Sequence, residues 1–161
     1  MKNQPSILVI DDEPIICESC HRILSKENYK VDVNTNPQKG LNQALVNNYD
    51  LLLLDIKMDK LDGMKLLSKF RTKNPDTPVI IITGYPSKES KEESNRLNIS
   101  NYILKPFLPQ EILTSVNNIV GLSNISLKEK AENSSENLPG FKSEEPDPYD
   151  FWKIGGLWRG C

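Results

Sequence analysis

The chain has 161 residues, with 20 basic and 22 acidic side chains and a formal net charge of −2 at pH 7. This balance offers no electrostatic support for nucleic-acid binding. The apolar run near the N-terminus, Ile7–Ile10, is too short for a signal peptide or a membrane span. We therefore expect a cytoplasmic protein without membrane insertion, and its three cysteines do not indicate a disulfide framework.

Short apolar runs alternate with helical patterns between residues 6 and 120. The runs predict strands over 6–10, 29–35, 51–55, 79–83 and 101–104. Helices are predicted from Pro14 onward and over 36–48, 62–74, 88–98 and 109–120. Uninterrupted apolar strands are buried on both faces, which indicates a doubly wound α/β fold with a five-stranded parallel sheet.

Polar residues stand where the predicted strands end, and such folds bind ligands at that edge of the sheet. They are Asp11 and Asp12 after the first strand, Asp55 on the third, Thr83 and Gly84 on the fourth, and Lys105 on the fifth. Clustered carboxylates repel one another unless a cation lies between them. Oxygen ligands favour Mg²⁺, and a lysine and a hydroxyl nearby would suit a phosphate. The sequence thus predicts a magnesium and phosphate site, with space left by the glycine.

The segments "VIDDEP", "LLLLDIKMDKLDGM", "VIIITGY" and "YILKPF" together carry a family resemblance. The chain resembles a response-regulator receiver domain of bacterial two-component signalling, of the single-domain type with a short C-terminal tail. That resemblance implies a flavodoxin-like fold and a protein that catalyses only its own phosphotransfer and dephosphorylation. It also implies a sensor histidine kinase or a histidine phosphotransfer protein as partner, and output through phosphorylation-dependent protein contact or a phosphorelay.

The same resemblance assigns roles to individual residues. It makes Asp55 both the phospho-acceptor and a Mg²⁺ ligand, Asp12 a direct Mg²⁺ ligand, Asp11 a ligand through water, and the backbone carbonyl of Lys57 a further ligand. Phosphoryl oxygens would bond to the Thr83 hydroxyl and to Lys105, with Gly84 beside them. The remaining implied roles are a switch formed by Thr83 and Tyr102, and a cis peptide bond before Pro106.

Three positions depart from the family pattern. Asp59 stands where a proline is usual, which adds a charge near the metal. Asn98 and Ile99 replace a pair of small residues, and Asn98 suits a left-handed helix end whereas Ile99 has no evident place. The predicted fourth helix, 88–98, has almost no apolar stripe, so we expect it to be loosely held.

The segment "CESCH", residues 17–21, has the spacing of a c-type haem attachment site. Its position within the first predicted helix argues against haem, metal and redox functions. The helical pattern places Cys20 on the core face, leaving Cys17 toward the surface and His21 in solvent. We therefore expect no haem.

Composition divides the chain into a receiver domain over residues 1–121, a polar flexible linker over 122–148 and an aromatic segment over 149–161. The linker is too polar to order itself, so the tail is predicted to be disordered. Aromatic anchors are typical of docking segments. The candidates are Tyr149, Phe151, Trp152 and Trp158. The alternatives are an adaptor whose receiver controls presentation of this segment, or a remnant without a role.

Overall fold

The computed structural model describes residues 4–59 and 61–132, with side chains described as far as residue 121. The aromatic segment over 149–161 and the later part of the predicted linker lie outside the described residues, so the predictions for them stay predictions. Within the described part, no helix is both long and apolar enough to span a membrane.

Strands and helices alternate along the chain. The strands are β1 (Ser6–Ile10), β2 (Lys30–Asn34), β3 (Leu51–Asp55), β4 (Val79–Thr83) and β5 (Asn101–Leu104). The helices are α1 (Pro14–Ser25), α2 (Pro37–Val46), α3 (Gly63–Lys73), α4 (Lys88–Arg96) and α5 (Pro109–Glu132).

The strands form one parallel sheet in the order β2-β1-β3-β4-β5. The chain runs outward from β1 in one direction and from β3 in the other, so the direction of winding switches between these two neighbours. Ligands of such folds bind outside the carboxyl ends of the strands at this switch. The predicted doubly wound fold is confirmed, and the residues that follow β1 and β3 lie at the switch.

Side chains alternate between the two faces of the sheet along each strand. Helices cover both faces, so the central strands are buried on both sides. All five residues of β3 and all five of β4 are buried. One core layer packs against α2 and α3, and the other packs against α1 and α5. Two buried layers on one sheet leave little freedom for the strand ends, which hold the polar residues.

Local signals in the sequence account for several helix ends. The Asn36 side chain accepts a hydrogen bond from the Lys39 backbone N–H at 3.0 Å, as its predicted N-cap role requires. Asn98 has a φ of 51°, the left-handed conformation expected there. Ile99, which the sequence could not place, packs partly buried against the α2–α3 core layer.

Helix α5 is longer than its apolar pattern predicts. We expected an end at residue 120, but the helix continues to Glu132. Residues 122–132 contain no glycine and no proline. They include good helix formers such as leucine, lysine, glutamate and alanine. The first part of the predicted linker is therefore helical in the structure, and the boundary at residue 121 stays a prediction.

The cysteines of α1 are both buried, with exposures of 2% for Cys17 and 0% for Cys20. The prediction for Cys20 is confirmed, whereas the surface position expected for Cys17 is wrong. The Cys17 thiol lies beneath the end of β1 and donates to the Asp11 carbonyl oxygen at 3.3 Å. Burial raises the pKa of Cys17 to about 11 and that of Cys20 to about 12, so both thiols stay protonated.

Candidate functional site

Three aspartates meet at the switch between β1 and β3. Asp11 and Asp12 directly follow β1, and Asp55 is the last residue of the neighbouring β3. Each contributes a carboxylate oxygen to a group whose atoms all lie within 4.8 Å of one another. We call Asp11, Asp12 and Asp55 the aspartate cluster. The sequence predicted that these residues would converge, and the fold brings them together.

Backbone contacts hold Asp55 at the end of its strand. Its Oδ1 accepts a hydrogen bond from the Lys57 backbone N–H at 2.9 Å. Gly63, at the start of α3, donates its N–H to the Ile56 carbonyl at 3.0 Å. A Cβ at Gly63 would lie 2.4 Å from the Asp55 carbonyl oxygen, so only glycine lets α3 approach this closely. Gly63 was not predicted as a site residue, although the pair Asp62-Gly63 at the start of α3 could have suggested a close approach there.

The other two aspartates are fixed by the loops around them. Asp11 Oδ1 accepts from the Glu13 backbone N–H at 2.9 Å. Asp12 Oδ2 accepts from the Asp59 backbone N–H at 2.9 Å. Asp59, the position that departs from the family pattern, therefore contributes a main-chain donor to the cluster. Its lack of a proline ring is useful here, because proline has no N–H to donate.

Lys105 reaches the cluster from the end of β5. Its Nζ lies 2.7 Å from Asp11 Oδ2, 2.7 Å from Glu13 Oε1 and 3.0 Å from Asp55 Oδ2. The first and third contacts join residues that the sequence had placed at one edge of the sheet. The contact with Glu13 was not predicted. The run of three acids over residues 11–13 was its only signal in the sequence, and nothing in that run indicated a lysine partner.

Burial sets the electrostatics of this cluster. Removal from water raises the pKa of Asp11 to about 6, although Lys105 and the Glu13 backbone N–H act against it. Burial also raises the pKa of Asp55, opposed by the Lys57 backbone N–H and Lys105. For Lys105, burial alone lowers the pKa, but its contacts with three carboxylates outweigh that effect and raise it. The lysine therefore stays charged.

The remaining predicted residues surround the cluster. Thr83 ends β4 and is fully buried, and its hydroxyl oxygen accepts from the Tyr85 backbone N–H at 3.2 Å. A Cβ at Gly84 would meet only the Lys105 Cβ, at 3.8 Å, so the space beside this glycine is open. The Tyr102 hydroxyl lies 3.3 Å from Ser90 Oγ on α4. The peptide bond between Lys105 and Pro106 is cis.

The Lys57 side chain lies on the rim of the site. Its ammonium lies 4.6 Å from the centroid of the Tyr85 ring, which joins the loop after β3 to the loop after β4. The sequence did not suggest this cation–π contact. The metal-ligand role of the Lys57 backbone carbonyl stays a prediction.

The donor set suits a hard divalent cation. The aspartate cluster and Glu13 bring four carboxylates around one ammonium, and Asp12 forms no ion pair with Lys105. A further cation would balance the excess negative charge, and carboxylate oxygens are the ligands that Mg²⁺ prefers. The residues present thus fit a magnesium ion.

Comparisons with known proteins agree with this geometry. The family model described as "Response regulator receiver domain" matches residues 7–117. A receiver domain protein from Methanospirillum hungatei, described as CheY-like, has a similar structure with a TM-score of 0.74 at 29% identity. That similarity covers 77% of this chain and 99% of the other chain.

Two relatives are named as transcriptional regulatory proteins. ResD of Bacillus subtilis is 34% identical over 114 residues, which are 71% of this chain and 47% of that protein. SrrA of Staphylococcus aureus is 28% identical over 141 residues, which are 88% of this chain and 58% of that protein. The chain spans about half the length of these relatives. It belongs to the response regulator receiver family, whose members are phospho-acceptor signalling domains of two-component systems rather than classical enzymes.

Proposed function

We propose that this receiver domain accepts a phosphoryl group on Asp55 and signals by a phosphorylation-dependent protein contact. Receiver domains are phosphorylated by histidine kinases or histidine phosphotransfer proteins, and we propose such a protein as the donor. The observation that carries the proposal is the setting of Asp55. Its buried carboxylate has Lys105 Nζ at 3.0 Å, and its oxygen lies within 4.8 Å of oxygens of Asp11 and Asp12.

The transfer requires little beyond positioning and neutralisation of charge. A carboxylate oxygen of Asp55 forms a bond to phosphorus as the bond from phosphorus to the donor's imidazole nitrogen breaks. The nitrogen keeps the electron pair of the broken bond. Asp55 needs no general base, because the nearby ammonium of Lys105 stabilises its ionised form.

Charge on the transferred group needs several partners. Mg²⁺, when bound, would neutralise negative charge on the phosphoryl oxygens. We propose that Asp11, Asp12, Asp55 and the Lys57 backbone carbonyl hold this ion. Receiver domains bind Mg²⁺ at an acidic pocket, and the aspartate cluster supplies such a pocket here.

Side chains at the ends of β4 and β5 would bind the phosphoryl group, and a side chain of β5 would change its contacts in response. We propose that the Thr83 hydroxyl and Lys105 bond to phosphoryl oxygens, and that the open space beside Gly84 admits the group. The Thr83 hydroxyl oxygen accepts from the Tyr85 backbone N–H, and its O–H would donate to a phosphoryl oxygen. Tyr102, held by Ser90 on α4, would then respond as the switch.

The test is phosphorylation by acetyl phosphate in the presence of Mg²⁺, read by intact mass. The parent chain should gain the mass of one phosphoryl group, and Asp55→Asn should gain none, because an amide is a poor nucleophile. The change is nearly isosteric, so the fold should survive. Asp76→Asn, which alters an exposed aspartate distant in the fold, is the matched control and should be labelled like the parent. Equal labelling of Asp55→Asn and the parent would refute the assignment.

A further inference from the structure

Three carboxylates already surround the ammonium of Lys105, and two of them, Glu13 and Asp55, accept its hydrogen bonds. A lysine ammonium carries three N–H donors. Three carboxylate oxygens, from Asp11, Glu13 and Asp55, already lie within 3.0 Å of Nζ. Asp55 is still a carboxylate when the phosphoryl group arrives, so a phosphoryl oxygen that approaches Lys105 must compete with all three carboxylates.

Exposure decides which carboxylate leaves. The side chains of Asp11 and Asp55 are 1% and 4% exposed, whereas that of Glu13 is 55% exposed. A buried carboxylate that loses its cation pays a large desolvation cost. The Glu13 carboxylate can instead turn into water and be solvated there. Glu13 is thus the contact that costs least to break.

The Glu13 side chain forms no capping contact with its own helix. Glu13 is the N-cap residue of α1. Serine, threonine, aspartate and asparagine are the preferred residues at that position, and glutamate is not among them. Its side chain instead points to Lys105, across 92 positions of sequence. The hydrogen bond of the Glu13 carboxylate is thus made to Lys105 in the site and not to a backbone N–H of α1.

We propose that Glu13 is a positioning residue, a resting counter-ion of Lys105 that competes with the arriving phosphoryl group. Its charge keeps the ammonium at the mouth of the site and opposes arrival of the negatively charged group by competition and repulsion. This inference rests on the proposed phosphorylation of Asp55. It makes Glu13 a determinant of how readily the domain is phosphorylated, without contact with the reacting atoms.

The test compares Glu13→Gln with the parent in initial rates of phosphorylation by acetyl phosphate at fixed Mg²⁺. Loss of the charge should raise the rate about two- to fivefold, the range expected for one exposed ion pair. Because exposed charges are screened, this gain should shrink as NaCl rises from about 0.05 M to about 0.5 M. Glu13→Gln should still unfold in one cooperative transition like the parent, which separates the charge effect from a loss of structure.

Glu18→Gln is the matched control, since it removes the same charge from an exposed position on the same helix. It should leave the rate at the parent value. Equal rates for Glu13→Gln and the parent, an equal gain in Glu18→Gln, or a gain independent of salt would each overturn the inference. A parent chain that is not labelled at Asp55 would instead refute the proposed function, so the two failures are distinguishable.

Discussion

Asp11 shows the energetic cost of the site at the scale of one residue. It is 1% exposed, and burial raises its pKa from 3.8 to about 6. Between these pH values the folded state holds more protons on Asp11 than the unfolded state does. The free energy of unfolding therefore falls as pH rises through this window. At neutral pH the metal-free protein retains a buried carboxylate that destabilises it.

Asp11→Asn should accordingly stabilise the metal-free protein at pH 7, by about 1 to 3 kcal/mol for a pKa shift of this size. The gain should disappear near pH 4, where the parent's Asp11 is also protonated. Urea unfolding in the presence of a chelator, at a series of pH values, measures this. Added Mg²⁺ should reduce the difference by stabilising the parent. If the parent were as stable as the variant at pH 7, the buried Asp11 carboxylate would not destabilise the metal-free protein.

The site was predictable from sequence wherever strand ends determined it. Asp11, Asp12, Asp55 and Lys105 follow apolar strands, and a parallel sheet brings such positions to one edge. Glu13 was missed because its contact depends on the path of a lysine side chain from a strand far along the chain. The position of Cys17 was predicted wrongly because helical spacing shows which face of a helix is buried, but not how far burial extends around the edges of that face.

Helix α4 buries little of its surface along one face, and contacts at both of its ends help to hold it. Ser94 is its only buried residue. At its start, Ser87 and Ser90 form a reciprocal capping box. Past its end, the Arg71 guanidinium of α3 donates to the carbonyls of Leu97 at 2.8 Å and Asn98 at 2.8 Å. The sequence predicted that α4 has almost no apolar face. It did not predict the contacts of Arg71, because they join segments that are distant along the chain.

Arg71→Met should destabilise the domain by about 2 to 4 kcal/mol. The guanidinium also donates to the Asn74 and Thr77 carbonyls, so its loss leaves partly buried acceptors without a donor. Arg71→Lys should recover only part of this, because one ammonium cannot reproduce the planar fork. Urea unfolding measures the loss, and hydrogen exchange should show faster opening of α4.

Arg96→Met is the control for this prediction, since Arg96 is an exposed arginine on α4 itself. It should change the free energy of unfolding by less than about 0.5 kcal/mol, as surface substitutions do. If Arg71→Met matched this control, the contacts of Arg71 would contribute nothing measurable to the stability of the domain.

At the scale of the whole molecule, the sheet explains why the fold was predictable. The uninterrupted apolar runs of β3 and β4 have one stable arrangement, burial between two helical layers. The extent of α5 was not predictable in this way. Beyond Val120 no apolar stripe continues, and helix propensity alone sets a boundary poorly. The two core layers thus determine the receiver, while the described end of α5 beyond Val120 follows weaker local preferences.

The aromatic segment over 149–161 should be needed for partner contact but not for phosphorylation. Every residue of the proposed site lies between Asp11 and Lys105, upstream of α5. A chain ending at residue 132 should therefore fold and accept phosphate at the parent's rate. The segment holds both tryptophans of the chain, and such rings are favoured anchors at interfaces. The truncated chain, and Trp152→Ala with Trp158→Ala in the full chain, should recover less partner.

The measurement is a quantitative pull-down from native extract, with each form tested phosphorylated and unphosphorylated. Ser134→Ala with Ser135→Ala in the full chain is the control, since it alters two polar residues and spares the rings. It should recover the same proteins as the parent. A phosphorylation-dependent partner retained by the truncated chain would place the contact on the receiver itself. Identical partners for all forms would leave the aromatic segment without a role in recruitment.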